Sequence, residues 1–242
     1  MKKILIIIIS IFIYNTASSQ VLIALIFGDE LNGERLEFGL NVGENFSTLS
    51  GVPDVTYRHG FNIGLNFIYK INNRLHLNPA LFFTYPMGAK KIPIYDTPDT
   101  NLNKVLTNAE IDRKLTYFNL PVTLRYRLFG LTFIEAGASL SLSTKMSDTF
   151  SADIENKNKY EREHSLDYTQ NIRSEYKYFD GGVVFGVTQY LRESRGVTIS
   201  VKYYQGLMNI SKDDKYSNQK NRVFSVIVGI PIGGAKKKKE TE

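Results

Sequence analysis

The chain has 242 residues, with 30 lysines and arginines against 24 acidic residues and no cysteine. The absence of cysteine excludes disulfides and thiolate metal centres. The small basic excess gathers in Lys236 to Lys239, so no broad cationic surface for nucleic acid is implied. One domain is expected at this length, since no Pro/Gly/Ser linker interrupts it.

Residues 1–19 carry Lys2 and Lys3, an apolar run over 4–13, and small residues at Ala17, Ser18 and Ser19, the layout of a secretory signal peptide. The run is shorter than the roughly 20 apolar residues that a spanning helix needs, so removal near Ser19 is expected, with a retained anchor as the alternative. Residues 20–35 read as an N-terminal periplasmic segment. Its apolar piece over 21–27 either lies at the periplasmic mouth as a short helix or extended segment, or pairs as a strand with the first strand.

From residue 36 onward, apolar and polar side chains alternate with a period of two, which is strand geometry. The first strand is 36–43, with Leu36, Phe38, Leu40 and Val42 on one face. Residues 60–70 and 75–85 form a hairpin, the first half setting Phe61, Ile63, Leu65, Phe67 and Tyr69 against Asn62, Gly64, Asn66 and Lys70, with Ile68 the single apolar exception. Strands over 116–128, 131–143, 178–191, 197–204 and 223–232 follow, each with one oily and one polar row. Most are about ten residues long, enough for a tilted strand to cross a bilayer.

The connections alternate as strictly as the side chains. Those at 71–74, 129–130 and 192–196 are tight, while 45–59, 88–113, 144–177 and 209–221 are long and polar. Brief turns at one end and extended loops at the other are the asymmetry of outer-membrane barrels. Open sheet edges cannot lie in lipid, because unpaired N–H and C=O groups would go unsatisfied, so such a sheet closes on itself. The expectation is therefore all-β: an eight-stranded antiparallel up-and-down transmembrane β-barrel over 36–232, with a Lys-rich periplasmic tail over 233–242. A soluble periplasmic lipocalin-like barrel that binds an apolar ligand is the alternative, and it requires the oily rows to face inward.

Eight strands leave an interior just wide enough for side chains, so the inward rows should form a packed polar core with paired charges. A hairpin turning at Phe129-Gly130 sets Arg125 opposite Glu135, both inward, as a structural ion pair. Lys70, Arg127, Asp180 and Lys202 share that parity and could extend the network. A gate or binding site in the lumen is the competing reading. Tyr69, Tyr85, Tyr126 and Tyr190, toward strand ends, are expected in interfacial girdles.

Catalytic chemistry finds little support. Of the three histidines, His59 and His164 fall in expected outer loops and His76 faces inward by a periplasmic turn. Glu163-His164-Ser165 holds the residue types of a hydrolase, but neighbours in one loop do not converge. His164 with Asp153 and Glu155 makes no convincing metal set. No catalytic, cofactor or metal site is expected, which leaves a lipid-modifying outer-membrane enzyme as a third reading.

LEFGLNVGENFSTLSG, GFNIGLNFIYKINNRLHLNPALFF, YFNLPVTLRYRL, DGGVVFGVTQYL and VTISVKYYQGLMNI together resemble the PorT-type outer-membrane β-barrel proteins of Bacteroidetes. The NLPVTLRYR segment carries most of the resemblance. It implies an outer-membrane location, contact with outer-membrane lipid and insertion by the barrel assembly machinery, without implying catalysis. The chain departs from the usual terminal aromatic residue, since Ile232 is followed by GGAKKKKETE. A non-enzymatic, monomeric barrel is expected, meeting an unknown surface partner through its loops and binding no nucleic acid.

Overall fold

In the computed structural model, residues 35–97, 109–154, 164–192, 196–212 and 218–232 are described. The expected leader at 1–19, the expected periplasmic segment at 20–35 apart from Arg35, and the expected tail at 233–242 lie outside the described residues. Nine strands are present among those described: β1 (Leu36–Ser50), β2 (Arg58–Lys70), β3 (Leu75–Ile92), β4 (Glu110–Phe129), β5 (Thr132–Ile154), β6 (His164–Asn171), β7 (Phe179–Tyr190), β8 (Thr198–Gly206) and β9 (Lys220–Pro231).

All strands except β6 form a closed ring of eight antiparallel neighbours, β1 pairing with both β2 and β9, and β4 joining β5. Pairing leads from Asn41 through Gly64, Phe82, Asn119 and Ser141 to Asp180 on β7. In the other direction it leads through Gly229 and Thr198 to Tyr190 on the same strand. The stagger is about ten residues for eight strands, which obliges the strands to tilt against the barrel axis.

The oily rows face outward. Leu120, Val122 and Leu124 on β4, Ile134 and Leu140 on β5, Phe185 and Val187 on β7, Ile199 and Val201 on β8, and Val226 and Val228 on β9 are all exposed. Soluble proteins do not leave so continuous an apolar surface open to water. The lipocalin-like alternative is overturned by this placement. Phe38, on the same outward row, is buried, with its ring centroid 4.9 Å from that of Phe67.

Several expected loops prove to be barrel wall. β1 runs to Ser50 and β2 begins at Arg58, so the 45–59 connection shrinks to a short turn, and His59 sits in a strand. β3 continues to Ile92, β4 starts at Glu110, and β5 extends to Ile154 and pairs with β6, the ninth strand. The reason is a change of phase. On β4, Phe118 to Leu128 point their apolar side chains outward, whereas Ile111, Leu115 and Tyr117 are apolar and fully buried inside. Where the wall leaves lipid, its outer face meets water and its inner face becomes the oily one, so alternation persists with the faces exchanged. On β5 a bulge opposite Thr116 and Tyr117 makes the same exchange, after which Met146 and Phe150 are buried.

The interior is accordingly not polar throughout, contrary to the sequence expectation. Its long-loop half holds an apolar plug that includes Met87, Ile111, Leu115, Tyr117, Met146, Phe150, Ile172 and Ile210. At the short-turn end Ile68 packs with Phe133 and Tyr190, which explains the one apolar residue on the polar face of β2. Two expected girdle residues belong to the interior instead: Tyr85 is 5% exposed and Tyr190 6%. A bulge between Phe82 and Tyr85 turns the latter inward. Tyr69 and Tyr126 do face out, near Phe129, and Phe46, Phe61, Phe118, Phe179, Tyr203 and Phe224 are exposed toward the opposite end. Gly130, at φ 49° in the turn joining β4 to β5, supplies the left-handed residue that so tight a connection needs.

Candidate functional site in the barrel interior

Antiparallel register sets one row of inward positions side by side: His76 on β3, Arg125 on β4, Glu135 on β5, Gly186 on β7 and Lys202 on β8. Glu135 is the hub. Its Oε2 accepts from Thr123 Oγ1 at 2.8 Å, Lys202 Nζ at 3.1 Å and Arg125 Nε at 3.3 Å, and its Oε1 accepts from Thr188 Oγ1 at 2.7 Å. Thr188 is in turn 2.7 Å from Ser200 Oγ, and Arg125 Nη1 reaches Tyr190 OH at 3.5 Å. Gly186 lies between Glu135 and Lys202, and a Cβ there would stand 3.0 Å from Lys202 Cγ and 3.3 Å from Glu135 Cγ. Its missing side chain opens the path along which the lysine crosses β7.

The sequence paired Arg125 with Glu135 and offered four possible extensions, of which the structure brings in Lys202 alone. Lys70 forms an ion pair with Glu37. Arg127 lies with its guanidinium 5.2 Å from the ring centroid of Phe133. Asp180 is fully buried, accepts from Asn221 Nδ2 at 2.8 Å, and has no cation within ion-pair distance among the described residues. Parity decides which face a side chain takes, but several residues along the barrel separate these groups. The threonines around Glu135 and the gap at Gly186 were missed by a search for charges; no sequence signal marked Gly186 as the partner of Glu135, because the register of β7 against β5 is set across a long connection.

A second cluster closes the long-loop end, beyond the lipid-facing rows. Arg113 donates Nε to Asp148 Oδ1 at 2.8 Å, Nη2 to Oδ2 of the same carboxylate, and Nη1 to Tyr176 OH at 2.6 Å. Tyr95 OH donates to Asp148 Oδ2 at 2.8 Å, and Tyr176 OH to Gln219 Oε1 at 2.8 Å. Burial works against the charged form of Arg113, but the hydrogen bonds and charge of Asp148 outweigh it and raise the pKa. Burial raises the phenols of Tyr95 and Tyr176, with the Asp148 carboxylate adding to the effect. Segments that the sequence shows only as polar loop are thereby tied into one buried cap.

None of these groups is poised for catalysis. Glu135 is saturated by its four donors, and the 430 Å³ groove on the outer wall, lined by Phe46, Thr48, Tyr57, Tyr203, Arg222 and Phe224, contains no acid–base pair. His59 Nδ1 is 3.2 Å from Glu44 Oε1 on the outer face, and no described hydroxyl hydrogen-bonds that ring. His76 is buried against Phe133, ring centroids 4.9 Å apart. His164 and Ser165 pair in β6 with Ile154 and Asp153, while Glu163 and Glu155 lie outside the described residues. Among the described residues no group of three or more His, Asp or Glu could hold a metal.

The architecture agrees with a match to a known family. A family model described as "Outer membrane protein beta-barrel domain" matches residues 19–212. No curated protein matches the sequence. Among solved structures, Neisserial surface protein A is 17% identical with a TM-score of 0.42, over 81% of this chain and 99% of that one. Ail, the attachment invasion locus protein of Yersinia pestis, is 13% identical with a TM-score of 0.38, over 81% and 98%. CarO of Acinetobacter baumannii is 13% identical with a TM-score of 0.36, over 78% and 96%.

Proposed function

The chain belongs to the outer membrane protein beta-barrel domain family, and on that premise we propose that it is a non-enzymatic, non-conducting barrel whose working surface is its outer cap. Its place is the outer membrane. The observation that carries the proposal is the filled interior: Glu135 is saturated by Thr123, Arg125, Thr188 and Lys202, and the apolar plug fills the other half. In this reading Arg125, Glu135 and Lys202 are a structural clamp and not a gate. Barrels of this size have their lumen occupied by side chains, and this one adds a second layer under the Arg113–Asp148 cap.

The β5–β6 hairpin and the segments bound by Arg113 offer a folded platform to a partner at the cell surface. The protein acts as a monomer, inserted by the barrel assembly machinery, within the PorT-type group of Bacteroidetes that the NLPVTLRYR strand resembles. Reconstitution into planar bilayers tests the central claim. Silent membranes are expected with protein whose heat-modifiable migration proves it folded, and steady ohmic steps from the same sample would overturn the reading.

A further inference from the structure

On β7 the outward-facing apolar row ends at Phe179, paired with Leu142 of β5, and Tyr178 follows immediately beyond it, 52% exposed. Two cations stack on that ring. Arg173 has its guanidinium carbon 5.0 Å from the ring centroid and Lys212 its ammonium nitrogen 5.3 Å. Both are held there by uncharged acceptors, Arg173 Nη1 donating to Thr144 O at 2.6 Å and Lys212 Nζ to Ser174 O at 3.1 Å. No carboxylate lies within ion-pair distance of either among the described residues, and Glu175 of the same turn meets Lys212 through its backbone carbonyl. Lys145 and Lys177, both exposed, adjoin Thr144 and Tyr178 in the chain. A fold that brings two like charges to one ring and, among the described residues, gives them only neutral acceptors is suited to receiving an anion.

Height on the barrel tells which anion. Phe179 and Leu142 belong to the lipid-facing belt, and Leu207 and Met208, also exposed, lie alongside through hydrogen bonds from both backbone amides to Gly181 O. The platform therefore has one edge among acyl chains and the other in water. A freely diffusing anion would gain nothing from Leu207, Met208 and Phe179, whereas a lipid headgroup meets both halves at once. We propose that Tyr178 with Arg173 and Lys212 is a binding site for the phosphate of a phosphorylated lipid of the outer leaflet. The guanidinium and the ammonium hold the phosphate oxygens, and the first methylenes of the chains run down over Phe179 and Met208.

The test uses the full chain, folded in detergent, with lipid binding read as mass adducts in native mass spectrometry. Diphosphorylated lipid A is expected to bind and its dephosphorylated form to bind at least about tenfold more weakly. The Arg173→Gln/Lys212→Gln double variant should lose binding to a similar extent, while Lys114→Gln on the outer face of β4 leaves it unchanged. Heat-modifiable migration verifies folding; should the double variant not fold, Lys212→Gln alone is read. Equal binding of the two lipids, no loss in the variant, or displacement of lipid by millimolar inorganic phosphate would each overturn the assignment, the last by reassigning the site to a free anion.

Discussion

Truncating Glu135 to alanine isolates the interior clamp. Arg125 is 1% exposed and Lys202 5%, and both direct their charge to one carboxylate. Removing it leaves two cations buried together, with the hydroxyls of Thr123 and Thr188 short of their acceptor. Breaking a buried ion pair from one side costs about 3–5 kcal/mol, because the remaining charge is stranded where water cannot solvate it. With a second cation stranded at the same place, the upper end of that range is expected for Glu135→Ala, a drop of about three to four decades in the folding equilibrium. Urea titration of the protein in lipid vesicles, followed by heat-modifiable migration, measures it. Replacing all three charges at once, Arg125→Met, Glu135→Leu and Lys202→Met, removes the desolvation cost along with the attraction and should land within about 1–2 kcal/mol of the parent. An alanine variant that unfolds at the parental urea midpoint would refute the clamp, and so would a triple variant as damaged as the single one.

Asp180→Asn keeps the shape and the Asn221 contact but discards a buried charge that has no cationic partner among the described residues, so urea stability should be unchanged or higher; a loss above about 2 kcal/mol would reveal a counter-charge. Gly137→Ala places a methyl 2.0 Å from Val122 O and 2.7 Å from Thr123 Cα, both backbone atoms of β4, and should cost about 1–3 kcal/mol; a neutral outcome would mean that β4 and β5 can separate freely. Spin labels at Leu65 and Val228 should be quenched by oxygen dissolved in the bilayer and shielded from water-soluble paramagnets, the reverse result placing those rows against protein. The cap should respond to alkali: Tyr95 and Tyr176 have raised folded pKa values, so the folded cap holds its protons more tightly than the opened one. Its stability is then flat below pH ~10 and falls as pH rises above that, and hydrogen-exchange protection over residues 172–178, taken relative to the base-catalysed intrinsic rate, that is equal at pH 8 and pH 11 would contradict it.

Barrel closure, the direction of the oily rows and the Arg125–Glu135 opposition were legible from period-two alternation and from the two-residue turn between β4 and β5. Each is local: parity chooses a face, and a tight turn fixes the register on both sides of it. The lengths of the strands were not legible, because hydrophobicity reports an environment and not a strand. Between Tyr117 and Phe118 the environment outside the wall changes from water to lipid, so the apolar residues change faces while the strand runs on.

Only the closed barrel decides which inward charges meet. Lys202 is far from Glu135 in sequence, yet register across three strands puts both in one row, and the absent side chain of Gly186 lets them touch. Lys70 and Asp180 share the same inward parity but sit at other heights, one beside Glu37 and one among tyrosines and Asn221. The alternating pattern by itself determined that a sheet closes with its oil outward, since each residue carries its own transfer free energy and a strand offers two faces. How charges pair inside, and how Arg113, Asp148, Tyr95 and Tyr176 tie the outer segments into a cap, depends on the stagger and on distances across the barrel that no single strand contains.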